Sequence, residues 1–494
     1  MFLAITAAAL LSALSVWWVH AHGFTLYWGD AEAHLNIARR IVEARNPGYE
    51  QLGSPWLPLP HLLMLPLVIH DPLWRNGLAG AIPSAICFTI AAGFLFASVR
   101  RVIGSGAAAC AMAVFVLNPN ALYVQSIPMS EGTFFAALMG ILFFTTRYRD
   151  SQSMADLLGS ALMCLAASMT RYEGWILIPF TAGYIATVTR QGRVVRFLIF
   201  GTLASIGTPW WLFYNWWVFS NALDFYNGPN SAVGIQRGLP YPGHGDWKVA
   251  LQYFLTAGKL VNGWPLLWIG GIGIIAALRQ RVIWPVVLLG MWPLFIVWSM
   301  HSSAQPIHIP PLPPFSWYNT RYALAMLPVL AVGASAWTTL RKGPVIPVAV
   351  AVLTVAFWLF PLDHERWITW KESEQNSLAR RAWTHAAAAY LQANAKPTDT
   401  FFTTFGDISA IFREAGIRFE RTLTWDDNPE WPAAVNRPDL FLWEDWVVAQ
   451  CGDQADETVH RARALGVHYD LATEISVSGA TSIEIYRRHE YPVR

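Results

Sequence analysis

Charge is what this sequence has least of. Asp, Glu, Lys and Arg make up 13% of its 494 residues, against roughly 25% in an ordinary soluble domain. Scarcity on that scale excludes a disordered chain. With 54% hydrophobic residues it also argues against a soluble fold and points to a polytopic membrane protein. Neither sign of charge dominates: 34 basic residues against 32 acidic leave a net +2, so nothing suggests a nucleic-acid footprint or a polyanionic partner. Cysteine is scarce too. Cys87, Cys110 and Cys164 fall inside apolar segments and Cys451 stands alone, which gives neither a disulfide framework nor a zinc spacing. Internal repeats of the kind found in transporters and low-complexity linkers are also missing.

What the chain has in quantity is apolar length. A bilayer core about 30 Å thick needs roughly 20 apolar residues per helix, and about eleven stretches meet or approach that. They run near 2 to 20, 77 to 99, 106 to 124, 131 to 146, 154 to 170, 174 to 189, 197 to 219, 262 to 278, 282 to 299, 320 to 340 and 344 to 361. The first lacks a basic n-region, and Ala21-His22-Gly23 is a poor cleavage site, so it reads as a span rather than a signal peptide.

With the N-terminus cytoplasmic, every second loop is inside. Those loops hold Arg100/Arg101, Arg147/Arg149, Arg190/Arg193/Arg196, Arg279/Arg281 and Arg341/Lys342, whereas the loop after 124 and the loop from 300 to 317 hold no Lys or Arg. This is the positive-inside pattern. It predicts an extracytoplasmic first loop (23 to 76) and an extracytoplasmic C-terminal segment. The expected organisation is a transmembrane domain, 1–362, and a small α/β domain, 363–494. In the latter, charges return and a helical stretch from Asn376 to Asn394 precedes β-type runs at 400 to 404, 440 to 442 and 482 to 486, with an amphipathic stretch from Glu457 to Leu465.

The first outer loop opens with Tyr27-Trp28-Gly29-Asp30-Ala31-Glu32-Ala33-His34-Leu35. Gly29-Asp30 can cap a helix running to about Arg45, with Asp30, Glu32 and His34 in its first turns. Acids gain from such a position by capping alone; their place directly after the first span is what gives them a functional reading. The loop continues Gly53-Ser54-Pro55-Trp56-Leu57-Pro58-Leu59-Pro60-His61, too short and proline-rich to span and suited to lying along the interface.

An acidic motif after the first span, an interfacial proline-rich helix, about eleven spans and an outer C-terminal domain together resemble the GT-C superfamily of membrane glycosyltransferases. The likeness is strongest to its protein O-mannosyltransferase and lipid A aminoarabinose transferase branch. Asp30-Ala31-Glu32-Ala33-His34 is similar to that branch's Asp-Glu-Ala-x-Tyr pattern, with Ala31 separating the two acids. Leu57-Pro58-Leu59-Pro60-His61 stands where the family has a Pro-Pro-Leu segment. Pro128-Met129-Ser130-Glu131, Thr170-Arg171-Tyr172-Glu173-Gly174 and Tyr318-Asn319-Thr320-Arg321-Tyr322 resemble its later outer-edge motifs. The resemblance covers roughly residues 1 to 361.

It implies transfer of a sugar from a polyprenyl-phosphate donor to a lipid, glycan or protein acceptor, with inversion at the anomeric carbon. That chemistry needs a base for the acceptor proton and cations for the departing phosphate. The resemblance assigns Asp30 as base and Glu32 as a second carboxylate that positions the acceptor or takes over the role. Arg321 and His61 become the phosphate ligands, and His34, Glu131, Arg171, Tyr172, Glu173, Tyr318 and Asn319 line the site. It implies no cofactor beyond the lipid-linked sugar. The spacing of Asp30 and His34 is also similar to the Asp-x-x-x-His-Leu of oligosaccharyltransferases, a branch that binds a divalent metal; the missing Trp-Trp-Asp motif favours the metal-independent branch.

Bland readings stand beside these. Arg321 can snorkel, Arg171 and Glu173 can form a local ion pair, Glu131 can cap a helix, His61 can be a hydrogen-bonded interfacial histidine, and the paired tryptophans can be interface belts. Two other functions fit the composition: a transporter or flippase, disfavoured because the span centres hold almost no charge, and a non-catalytic assembly protein with a GT-C-like core.

Overall fold

The computed structural model describes residues 2–236, 239–341, 343–359 and 364–489. The expected boundary between 362 and 363, the end of the stretch 344 to 361, and Lys342 lie outside the described residues. The chain forms two compact units. One comprises Met1–Gly23, Ser54–Pro60 and Ala81–Glu372; the other comprises Phe24–Gly53, His61–Gly80 and Ser373–Arg494.

The first unit is helical, and a helix occupies each of the eleven apolar stretches. Fewer are long and apolar enough to cross a membrane. Among the described residues, Phe2–Ala21, Leu78–Val102, Arg193–Phe219, Ile283–Ser302 and Thr320–Thr339 make five, or up to seven if each of two bent pairs is one span. The bends have local causes. Ser105–Val116 and Pro119–Gln125 meet at 66° because Pro119 has no N–H to continue the ladder and the Asn118 side chain accepts from Asn120 and Ala121 N–H to cap the new helix. Trp247–Asn262 and Trp264–Arg279 meet at 112° at Gly263, whose φ is +78°, with Pro265 opening the second helix. Met154–Ser168 is a shorter apolar helix.

Helices Trp264–Arg279 and Leu327–Ala336 approach backbone to backbone through glycine, as small residues allow where lipid supplies no hydrophobic drive. A Cβ on Gly273 would stand 2.1 Å from the Gly333 carbonyl oxygen, and one on Gly333 would stand 2.2 Å from that of Gly270. Gly273→Ala is therefore expected to destabilise by about 1–3 kcal/mol, read as a lower thermal midpoint in detergent; an unchanged midpoint would contradict this packing.

The second unit is built on a five-stranded sheet in the order β2-β1-β3-β5-β4. Its strands are β1 (Phe401–Thr403), β2 (Thr422–Leu423), β3 (Trp446–Gln450), β4 (Tyr469–Ile475) and β5 (Ile483–Arg488). β1 runs parallel to β2 and β3, with helices in the crossovers, while β5 is antiparallel to β3 and β4. Side chains alternate between faces. Phe402, Val447, Ala449 and Tyr486 pack on one side with Trp431, Ala455 and Val459. Phe401, Trp446, Val448, Ile483 and Ile485 pack on the other with Trp383, Ala387 and Leu391 of helix Ile368–Asn394, and with Leu35, Ala38 and Trp74 from the first loop. The acidic helix, Gly29–Glu43, thus belongs to the core of the C-terminal sheet.

Two sequence expectations are corrected. Residues 440 to 442 are not a strand: Pro438 opens a short helix, Pro438–Phe441. The central strand lies just beyond, at Trp446–Gln450, whose first four residues are buried on both faces and so show no alternation. The helix at the start of the first loop is capped by Trp28 with no side-chain cap bond, so Asp30 lies inside its first turn instead of capping it.

Candidate active site

The residues singled out in the sequence divide between the two units. In the second unit, Asp30 is half-buried in the first turn of helix Gly29–Glu43. Glu32 is 1% exposed; its Oε1 accepts from Arg413 Nε at 2.6 Å and from Asn36 Nδ2 at 3.0 Å. Asn36 in turn donates to Ser409 Oγ at 2.9 Å and accepts from Trp74 Nε1 at 3.0 Å. One turn on, His34 Nδ1 and His61 Nε2 are 2.8 Å apart, both rings buried. Burial and the neighbouring His34 hold the His61 pKa well below its ordinary value, so His61 is neutral at physiological pH.

Four residues that the sequence does not single out, Arg380, Arg381, Asp407 and Arg413, complete this cluster. Asp407, in the turn between β1 and helix Ser409–Ala415, places Oδ1 3.2 Å from where a Cβ on Gly29 would stand. Its side chain is 61% exposed, open to water on one side and crowded on the other. Lost hydration and the carboxylates of Asp30 and Glu32 push its carboxyl up, against the pull of Arg380. Arg380 Nη2 donates to the carbonyls of Leu26 at 3.2 Å and Tyr27 at 2.5 Å, with Nε 4.0 Å from Asp407. Arg381 lies 3.8 Å over the Tyr27 ring. The backbone leading into Asp30 is therefore held by a side chain some 350 positions away, and Arg413 holds the Glu32 carboxylate that follows it. Among the described residues, Asp30, Glu32, His34, His61 and Asp407 do not bring three ligand atoms within 4.8 Å of one another; Cys451, Asp456 and Glu484 do.

In the first unit, Glu131 opens helix Glu131–Ser151 and is buried. Its Oε1 accepts from Arg171 Nη1 and from Arg321 Nε, each at 3.1 Å, while its Oε2 is buried and accepts no hydrogen bond from the described residues. Arg171 also donates to Glu173 at 2.7 Å through Nη2, and both guanidinium groups lie over the Tyr322 ring, at 5.4 and 5.1 Å. The local ion pair of Arg171 with Glu173 is thus one edge of a larger network that Arg321 joins, at 5% exposure. Tyr172 Oη donates to the Pro55 carbonyl and accepts from Trp211 Nε1, both at 3.2 Å, and its ring stacks on Phe225 at 4.9 Å. Tyr318 pairs its backbone with His308. Asn319, at φ 56°, donates through Nδ2 to the Pro306 carbonyl at 3.2 Å.

No family model and no curated protein matches the chain by sequence. Among solved structures it resembles ArnT from Cupriavidus metallidurans bound to undecaprenyl phosphate. The TM-score is 0.57 at 15% identity, over 96% of this chain and 97% of that one. The apo state of the same protein gives 0.55 at 14% identity over 92% of each chain. The apo oligosaccharyltransferase of Archaeoglobus fulgidus gives 0.50 at 14%, over 91% of this chain and 69% of the other. The chain shares the fold of these structures.

Proposed function

We propose that the chain is a glycosyltransferase, moving a sugar from a polyprenyl-phosphate donor to a lipid, glycan or protein acceptor at the extracytoplasmic face of the cell membrane. The observation that carries this reading is the first turn of helix Gly29–Glu43. There a half-buried carboxylate, Asp30, stands beside Glu32 and Asp407, in a fold shared with a protein solved with undecaprenyl phosphate bound.

In the proposed reaction Asp30 accepts the acceptor's hydroxyl proton. The freed oxygen attacks the anomeric carbon from the face opposite the phosphate, and the sugar–phosphate bond breaks with its electron pair leaving on the polyprenyl phosphate. Arg321, braced by Glu131, takes the charge that develops on the phosphate, and Arg171 helps fix that geometry. Glu32, neutralised by Arg413, holds the helix that aims Asp30. His61, neutral and turned onto His34, orients His34 and brings no cation to the phosphate. Sugar and acceptor choice fall to the loop from Asn221 to Gly245, whose Phe225 rests on Tyr172, and to the C-terminal domain.

The test is sugar transfer by the purified full chain in detergent, with polyprenyl-phosphate sugars and an extract of acceptors. Transfer is expected, and EDTA is expected to change it by less than about twofold, because the carboxylates and histidines around Asp30 do not converge as a metal site would. Transfer lost in EDTA and restored by Mg²⁺ or Mn²⁺ would place the protein in the metal-dependent branch instead.

A further inference from the structure

One buried carboxylate in the first unit has no role in the chemistry above. Glu372, 2% exposed, sits one turn into helix Ile368–Asn394. It accepts from the backbone N–H of Asn319 at 2.6 Å and of Thr320 at 2.8 Å, and from the Thr320 hydroxyl. Those donors immediately precede Arg321 and open the tight turn Thr320–Met326. The carboxylate is itself fixed from behind. Three residues earlier on the same face of the helix, Thr369 donates its N–H to Asn120 Oδ1 at 2.9 Å, and Asn120 Nδ2 donates to the Val261 carbonyl at 2.9 Å. Next in sequence, Asn262 Nδ2 donates to the Ala323 carbonyl at 2.8 Å, gripping the turn from its other end.

The turn needs that grip. Asn319 is in the left-handed region, uncommon for a residue other than glycine, and the backbone donors at the start of a helix have no partner within it. A carboxylate that receives two of them fixes both the strained residue and the direction in which the chain leaves it. Arg321 departs from that point.

We propose that Glu372 is a positioning residue for Arg321, fixing the Asn319–Thr320 backbone so that the guanidinium meets the donor phosphate in one orientation. The inference rests on the transferase reading above. It adds a residue that touches neither sugar nor phosphate and acts through the arginine. The expected signature is lost donor affinity with the chemical step preserved.

Burial also pushes the Glu372 carboxyl up to about 7, against the pull of the Thr320 and Asn319 donors and of Arg321. Its charge is therefore present above neutrality and lost below it. Arg321 faces it as a cation, and Asn319 and Thr320 face it as donors; Lys371, beside it on its own helix, lies over the Trp370 ring.

The experiment measures undecaprenyl phosphate binding and donor kinetics on the full chain in detergent for wild type, Glu372→Gln, Glu372→Asp and Thr320→Val. Glu372→Gln is expected to weaken undecaprenyl phosphate binding and raise the donor KM by about tenfold, with kcat within about twofold. Glu372→Asp should recover part of the loss, and Thr320→Val, which keeps both backbone donors, should show a smaller loss. Between about pH 8 and about pH 6 wild-type affinity should fall more than that of Glu372→Gln, since the phosphate's own second ionisation is common to both. If Glu372→Gln folds, and binds and turns over as wild type does at every pH, the inference is overturned while the transferase reading stands. Should Glu372→Gln fail to fold, Thr320→Val decides: unchanged binding there overturns the inference. Wild type that neither binds undecaprenyl phosphate nor consumes donor overturns the transferase reading itself.

Discussion

Asp30→Asn is expected to lower sugar transfer by about 10²–10⁴-fold, the range that a positioned base contributes, while leaving undecaprenyl phosphate binding within about twofold. Both acids of the Asp-x-Glu pattern are candidates by sequence, and their surroundings separate them. Glu32 is 1% exposed and already accepts from Arg413 and Asn36 on one oxygen. Protonating it would strand a buried guanidinium. Asp30, two positions earlier in the first turn of the same helix, is half-buried rather than enclosed. Steady-state transfer kinetics on Asp30→Asn and Glu32→Gln check the assignment. If Glu32→Gln abolishes transfer and Asp30→Asn keeps half of it, the roles are reversed.

Arg413→Leu is expected to destabilise the second unit by about 3–5 kcal/mol, because it leaves the Glu32 carboxylate buried without its cation. The same change removes the bond from Arg413 Nη1 to the Arg75 carbonyl at 2.6 Å. The measurement is a fall in the thermal midpoint. Pairing Arg413→Leu with Glu32→Gln should return more than half of that fall, since the charge to be compensated is then gone. Additive losses in the double variant would mean that the ion pair contributes little and that the Arg75 contact dominates.

Which parts of the molecule could be read from sequence follows from where charge is rare. In apolar surroundings an acid or an arginine stands out, and Asp30, Glu32, Glu131, Arg171, Glu173 and Arg321 were all visible on that ground; the last four share one network. Glu372, Arg380, Asp407 and Arg413 lie where charges are ordinary, and only the fold brings three of them to the helix after Trp28 and the fourth to Asn319. The apolar stretches each marked a helix. Their number as spans was less legible, because hydropathy averages across a break such as Asn118-Pro119 or Gly263-Trp264-Pro265 that the backbone resolves into bends of 66° and 112°. Strands β2 and β4 escaped notice for a different reason: β2 has two residues, and β4 is mostly exposed, so neither shows the buried alternation that marks a strand.

The central claim, that a sugar leaves a polyprenyl phosphate on this protein, is tested most directly by mass spectrometry of the donor lipid. Sugar-charged polyprenyl phosphates are incubated with wild type and with Asp30→Asn, together with an acceptor extract. The account predicts that wild type converts the donor to free polyprenyl phosphate with the sugar's mass appearing on an acceptor, and that Asp30→Asn returns the donor intact while still binding it. Donor bound by wild type and recovered unchanged, from every sugar and acceptor offered, would contradict it.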